Sequence, residues 1–346
     1  MGGDGADLRP GRTGVIARRR IGALSVPELG FGTAPLGNLY RVIPDDDARA
    51  TILAAFDAGL THADTAPHYG LGLAEKRLGA ALRPGTIIST KVGRVLLPAK
   101  GPFPAERNAF HTQEPFEPVY DYSHDGILRS HEDSLRRLGL DRVDILYVHD
   151  IGRQTHGDAH PAMLAQLFEG GGFRALGRLR DEGAIDAFGI GVNETEVALE
   201  LLDRVRLDVI LLAGRYTLLE QGALTRFLPR CRAEGIAVVI GGPYNSGLLA
   251  GGGTYDYAPA PAAIAARARA IEAVCARHGV ALGAAALQFP LAHPQVASVI
   301  PGLASVQEVD QTVTRYHTPI PPALWEELKA GHLLAAEAPV PAAVAA

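Results

Sequence analysis

A single (β/α)8 barrel is the fold class the sequence predicts, and three observations predict it. Short apolar runs alternate with segments carrying the helical period from about residue 30 to residue 314, in eight pairs. A chain of 346 residues suits one such barrel, and no linker, composition break or shorter repeat divides it. Polar residues with chemistry fall at the ends of the apolar runs, where barrels of this kind keep their active sites.

Residues 1–18, rich in Gly, Asp and Arg, read as a disordered leader, residues 19–334 as the barrel, and residues 335–346, mostly Ala and Pro, as a flexible tail. Residues 24–29 suggest a small hairpin arm, and residues 30–35 a first buried strand running into a loop. Pro44 and Asp45 to Asp47 place acids at a helix N-terminus, where they suit the dipole, ahead of a periodic segment at 48–58. Strand 62–64, helix 74–82 and strand 86–91 follow. Residues 92–125 are a long connection dense in Pro, Phe and Tyr, and so long a connection in a compact domain is usually functional. Phe103, Phe110, Phe116, Tyr120 and Tyr122 suit the wall of a small-molecule pocket, the plain alternative being an ordered surface loop. Helix 126–138 and strand 144–149 come next, then a second long loop and helix 173–180. Strands 187–192, 209–213 and 237–241 pair with helices 196–205, 223–233 and 262–277. An extra helix at 282–291 precedes a last strand at 298–300 and a helix at 305–314.

The net charge of -5 and pI near 6.2 leave no basic footprint for nucleic acid. No segment approaches the roughly 18 consecutive apolar residues of a membrane span, and Arg18 to Arg20 lack the apolar core of a signal peptide. Cys231 and Cys275, both in helix-like segments, point to a reducing compartment rather than a disulfide scaffold. The expectation is therefore a cytoplasmic protein with a small-molecule substrate; nothing in the sequence sets its oligomeric state.

The stretch from Thr61 to Gly70 carries the chemistry. Asp64 ends a short strand, and Tyr69 follows it after a turn with Pro67. Lys91 closes the strand at 86–91, and His149 closes the strand at 145–149. A phenol with a reference pKa of about 10 exchanges a proton near neutrality only if a neighbour stabilises its anion. An ammonium does that, and a carboxylate holds the ammonium. Each residue taken singly has an ordinary structural reading; the four together at strand ends do not.

These residues resemble the aldo-keto reductases, whose Asp-Tyr-Lys-His tetrad maps in order onto Asp64, Tyr69, Lys91 and His149. The surrounding segments Asp64-Thr65-Ala66, Ser89-Thr90-Lys91 and Ser134 to His149 agree, and the resemblance runs from about Leu29 to Pro319. Residues 115–122 and 244–249 are most similar to the branch of L-fucose (D-threo-aldose) 1-dehydrogenase and pyridoxal 4-dehydrogenase. The resemblance implies that Tyr69 is the general acid or base, that Lys91 stabilises its anion and Asp64 pairs with Lys91, and that His149 orients the substrate oxygen. It also implies a nicotinamide cofactor.

For that cofactor the resemblance implies contacts at Asn193, Tyr216, Gly242, Asn245, Gly247 and Leu248, and at Pro301, Gly302, Glu308 and Gln311. Several positions depart from the family pattern. Asn193 and Glu194 stand where a Ser-Asn pair is usual, Ala213 replaces a Gln, and Gly241 or Gly242 replaces the stacking aromatic. Gly302 and Glu308 stand where members preferring NADP carry Lys and Arg. A carboxylate repels a 2′-phosphate but accepts a hydrogen bond from a ribose hydroxyl, so NAD is favoured over NADP.

Gly70-Leu71-Gly72 is not a dinucleotide-binding turn, because it follows Tyr69 rather than a strand and Glu75 stands where the third glycine belongs. His149, Asp150, His156 and His160 are too irregularly spaced for a metal site and read as solvated histidines. The activity expected is NAD-dependent oxidation of the anomeric carbon of an aldose such as L-fucose or D-arabinose to its lactone. Pyridoxal oxidation, or general aldehyde and ketone reduction, is the alternative within the family. From other classes, an aldolase using Lys91 as a Schiff base leaves Tyr69 unexplained, and a non-catalytic nucleotide-binding subunit is opposed by the intact tetrad.

Overall fold

The structure, a computed structural model, describes residues 15–342. Eight parallel strands form one sheet: β1 (Phe31–Gly32), β2 (His62–Asp64), β3 (Ile87–Val92), β4 (Ile145–His149), β5 (Ala187–Val192), β6 (Val209–Ala213), β7 (Ala237–Gly241) and β8 (Val296–Ile300). They pair in sequence order, and bridges from Leu29 to Val299 and from Gly32 to Gly302 join the first to the last, closing the barrel. The helices wrapped around it are α1 (Asp45–Asp57), α2 (Leu73–Gly79), α3 (His124–Leu138), α4 (Gly172–Asp181), α5 (Thr195–Leu202), α6 (Phe227–Glu234), α7 (Ala262–Arg277) and α8 (Val306–His317).

Two cores follow from this arrangement. Inward residues such as Ile87, Ile145, Tyr147, Val209 and Val239 fill the barrel, and Ile21 and Val26 pack with them. Those two come from a hairpin, Arg18–Ile21 paired with Leu24–Pro27, that plugs the barrel. Outward strand residues pack against the helices in the second core. Helix α3 shows why these segments form helices. It buries Ile127, Ser130, Ser134 and Leu138 on one face, begins on Ser123, whose hydroxyl accepts from Gly126 N at 3.2 Å, and stops at Gly139 in the left-handed region.

The termini differ from the expected boundaries. Arg18 already lies in the hairpin and Ile16 is 8% exposed, so order begins before residue 18; residues 1–14 lie outside the described residues. A helix at Pro322–Ala330, unanticipated because its two prolines mask its period, buries Leu324, Trp325 and Leu328. After it, Ala335 N donates to Gln221 Oε1 at 2.9 Å and Ala338 is 1% exposed, so the expected tail is anchored at these two residues; residues 343–346 lie outside the described residues.

The two long connections carry structure of their own. After β3, Arg94–Pro98 pairs antiparallel with Phe116–Tyr120. After β4, the helices Arg153–His156 and His160–Phe168 precede α4. Of the histidines of that segment, His160 is not solvated and His156 is half-exposed. His160 is fully buried, with Nδ1 at 2.9 Å from Ile151 O and Nε2 at 3.2 Å from Glu200 Oε2, and His156 Nε2 lies 2.9 Å from Tyr122 Oη.

Candidate active site

Asp64 and His149 end β2 and β4, and Lys91 is one residue from the end of β3, so all three project from the C-terminal ends of adjacent strands. Lys91 Nζ donates to Asp64 Oδ2 at 2.6 Å and to Thr65 O at 2.8 Å, and Ser89 Oγ holds the other carboxylate oxygen at 2.8 Å. The ammonium lies 4.7 Å from the centroid of the Tyr69 ring. The His149 ring stands edge-on to Tyr69, 6.1 Å away and tilted by 88°. The structure thus brings the four expected residues together in one cluster, with Asp64, Lys91 and His149 buried and Tyr69 half-buried at the cavity wall.

Tyr69 is fixed by a close approach of two loops. A Cβ on Gly37, in the loop after β1, would lie 2.7 Å from the Tyr69 carbonyl carbon, and one on Gly70 would lie 2.4 Å from Gly37 O. Only glycines permit that contact. On α2, Glu75 is buried, accepting from Thr90 Oγ1 at 2.6 Å and pairing with Arg137 Nε at 2.6 Å.

Burial raises the Tyr69 phenol above its ordinary 10.0, with Lys91 pulling the other way. Burial alone would lower Lys91, but the Asp64 carboxylate and the Tyr69 oxygen more than offset it and keep the ammonium charged. Burial, helped by Arg94, Lys91 and His68, holds His149 well below 6.5, so its ring is neutral around pH 7. The cluster therefore offers a protonated phenol, a fixed cation and a neutral imidazole. That set can pass one proton to or from a carbonyl or alcohol oxygen.

A cavity of about 670 Å³ runs from Asp64 and Tyr69 past the ends of β5 to β8 to the first turns of α8. Of the residues expected to hold a cofactor, Asn193, Gly242, Asn245, Gly247, Gly302, Glu308 and Gln311 line it. Three do not. Tyr216 is fully buried in the core, 5.1 Å from the Phe289 ring; Leu248 is also core; and Pro301 contributes its carbonyl to Gly32 N at 2.9 Å. Glu194 turns away as well, accepting from Gln154 N at 2.9 Å.

The cavity fits an elongated dinucleotide. Gly242, Asn245, Ser246 and Gly247 all have positive φ, a run of left-handed backbone of the kind that forms anion-binding concavities, and Gly214 and Gly241 add no side-chain bulk to the floor. Asn245 locks this loop, accepting from Thr217 Oγ1 at 2.6 Å and donating to Gly214 O at 3.1 Å. Arg215 crosses beside it, donating to Asn193 O at 2.7 Å and to Asp256 Oδ2 at 2.8 Å. At the far end Glu308 Oε2 accepts from Ala304 N at 2.8 Å, and Arg315 lies 5.2 Å from the Tyr244 ring.

The profile of the Aldo/keto reductase family matches residues 28–331. The chain belongs to that family. It is 43% identical to the pyridoxal 4-dehydrogenase of Microbacterium luteolum, over 92% of this chain and 98% of that one. It is 41% identical to the D-threo-aldose 1-dehydrogenase of a Pseudomonas species, over 90% and 95%. An aldo-keto reductase of Bacillus halodurans, solved in its holo form, superposes with a TM-score of 0.69 at 26% identity, over 94% of this chain and 98% of that one. Aldo-keto reductases use nicotinamide cofactors, and this enzyme falls with the pyridoxal and aldose dehydrogenases.

Sequence reasoning missed Gly37 and Arg94 near the tetrad, and it missed His68 and weighed Asp150 only as a metal ligand. The last two flank residues that were singled out, Tyr69 and His149, and Arg94 lies three residues after Lys91. Of the five loop aromatics expected at a pocket wall, Phe110 packs near Tyr69 at 6.2 Å and Tyr120 lines a second cavity. Tyr122 is buried beneath, donating to His149 O at 2.8 Å, while Phe103 and Phe116 sit against Arg107 and Lys76.

Proposed function

We propose that this aldo-keto reductase oxidises the anomeric carbon of an aldose such as L-fucose or D-arabinose to the lactone, with NAD. The observation that carries the reading is the Asp64–Lys91–Tyr69 cluster with His149 edge-on, opening into a cavity long enough for a dinucleotide. A bound nicotinamide supplies the hydride acceptor. Asn193, Gly242, Asn245 and Gly247 would hold it along the strand ends, with Gly302, Glu308 and Gln311 at the adenosine end.

Tyr69 takes the proton of the anomeric hydroxyl as the carbon loses its hydride, and returns it in the reverse direction. Lys91 stabilises the phenolate so formed and Asp64 keeps Lys91 in place. Neutral His149 donates a hydrogen bond to the reacting oxygen. What supports NAD is that Gly302 and Glu308, on the cavity wall, stand at the positions where family members preferring NADP carry Lys and Arg. The position of Glu308 at the N-terminus of α8, capping Ala304 N, keeps its carboxylate in place. The relatives that carry the names pyridoxal 4-dehydrogenase and D-threo-aldose 1-dehydrogenase supply the two substrate candidates, and the hemiacetal form of pyridoxal offers the same chemistry. Cys231 and Cys275, free and buried, favour the cytoplasm.

The test is nicotinamide reduction, followed by absorbance, with NAD and NADP separately and with L-fucose, D-arabinose, L-galactose and pyridoxal. Turnover of an aldose with NAD, lost by roughly 10²–10⁴-fold in Tyr69→Phe, is expected. Equal or better turnover with NADP would remove the cofactor assignment. Activity on pyridoxal alone would move the substrate and keep the mechanism.

A further inference from the structure

Beside the tetrad lies a second cavity of about 370 Å³, lined by His68, Arg94, Asn108, Pro118, Val119 and Tyr120. We propose that Arg94, on the wall of this cavity, and its partner Asp150 form a recognition pair for adjacent ring hydroxyls of a neutral polyhydroxylated substrate. The proposal rests on the aldose reading and deepens it.

The pair is built into the barrel rim. Arg94 comes two residues after β3 and Asp150 directly after β4, and their side chains are 10% and 18% exposed. Arg94 Nη2 donates to Asp150 Oδ2, its one side-chain hydrogen bond among the described residues, while Nε is buried without a partner. A guanidinium carries five N–H donors, and leaving them unmet in a buried site is costly. His68 Nδ1, on the same cavity wall, is also buried without a partner. Asp150 and Asn108 hold left-handed backbone at φ 49 and 53, a conformation these residue types adopt more readily than most. Asp150 Oδ2 lies 3.5 Å from His149 Nε2, which ties the pair to the tetrad.

Charge decides the ligand class. A phosphate or carboxylate drawn to Arg94 would meet the Asp150 carboxylate beside it, so the pair selects against anions. Two adjacent hydroxyls suit it, one accepting from the guanidinium and the other donating to the carboxylate. The Tyr120 ring, with the Arg94 guanidinium carbon 5.1 Å from its centroid, lines the same cavity and holds the guanidinium in place. A substrate without the hydroxyls leaves the Arg94 donors unpaired and is rejected for that reason.

The experiment compares L-fucose with 2-hydroxytetrahydropyran, which has the same hemiacetal carbon but no other hydroxyl. The ratio of their kcat/KM values, with NAD or NADP, should fall on the order of a hundredfold in Arg94→Met, and Arg94→Lys should restore only part, since one ammonium cannot make a fork. An equal loss on both substrates would mean that Arg94 acts through His149 or the fold, and no loss would mean that it touches no substrate; either overturns the proposal. A second arm uses 1,5-anhydro-L-fucitol, which keeps the ring hydroxyls and cannot be oxidised at its anomeric position. Calorimetry on the enzyme carrying its nicotinamide cofactor should show binding that Arg94→Met abolishes. Binding through Arg94 in an enzyme that oxidises no aldose would sink the aldose reading and leave the subsite standing. Absence of binding to the unaltered enzyme would sink the subsite.

Discussion

Among single residues, Tyr69 has the most finely balanced surroundings. Its burial disfavours the phenolate while Lys91, at 4.7 Å from its ring centroid, favours it. Burial wins, so the resting phenol holds its proton past neutrality, and His149 is already neutral there. The sign of the pH dependence follows. Reduction of a carbonyl needs the protonated phenol, so its kcat/KM should stay level through neutrality and fall only as Tyr69 loses its proton, above its ordinary value near 10.0. A limb centred near 6.5 would show His149 titrating and would contradict the assignment. The tetrad was legible residue by residue because each member carries an ionisable or aromatic side chain at a recognisable strand end. Glu308 was read from the sequence only as a cofactor-loop residue, and the structure adds a helix role: Ser305 Oγ accepts from Glu308 N at 3.2 Å. A residue can thus serve the helix and the cavity together.

Strands and helices set how accurately those residues are placed. β5, β6 and β7 keep the bounds expected from sequence, because a parallel strand buried on both faces is a short continuous apolar run. The hairpin of Arg94–Pro98 with Phe116–Tyr120 was read as an irregular connection, since its Pro and aromatic residues hide the alternation. Arg94 and Asp150 are paired across 56 residues by this insertion, a contact that no local pattern announces. The loops after β1 and β2 give a sharper case. Gly37→Ala places a methyl 2.7 Å from the backbone of Tyr69, which cannot yield as a side-chain end would. The cost to stability should be about 1–3 kcal/mol by overpacking, read from urea unfolding. Displacing Tyr69 by on the order of 1 Å should lower kcat about 10²-fold. Full activity in that variant would show that the close approach does not position Tyr69.

At the scale of the whole molecule, the barrel separates stability from chemistry. A hairpin plugs one region of the interior with Ile21 and Val26, while the connections leaving the C-terminal ends of β2, β3 and β4 bring Tyr69, Arg94 and Asp150 to Asp64, Lys91 and His149. The cavity proposed for the cofactor uses the other side of the ring, from β5 to β8 and α8. The eightfold alternation was legible because it repeats; the packed ends were not, since Ile16 and Ala338 are isolated apolar residues in polar or Ala-Pro surroundings. The central claim is that this scaffold removes hydride from an anomeric carbon. The most direct measurement uses L-fucose deuterated at that carbon, with NAD, and follows the label by mass spectrometry. The account predicts deuterium on the reduced nicotinamide, an unlabelled lactone, and slower turnover than with ordinary L-fucose. Deuterium retained in the sugar product, or released to water, would contradict it.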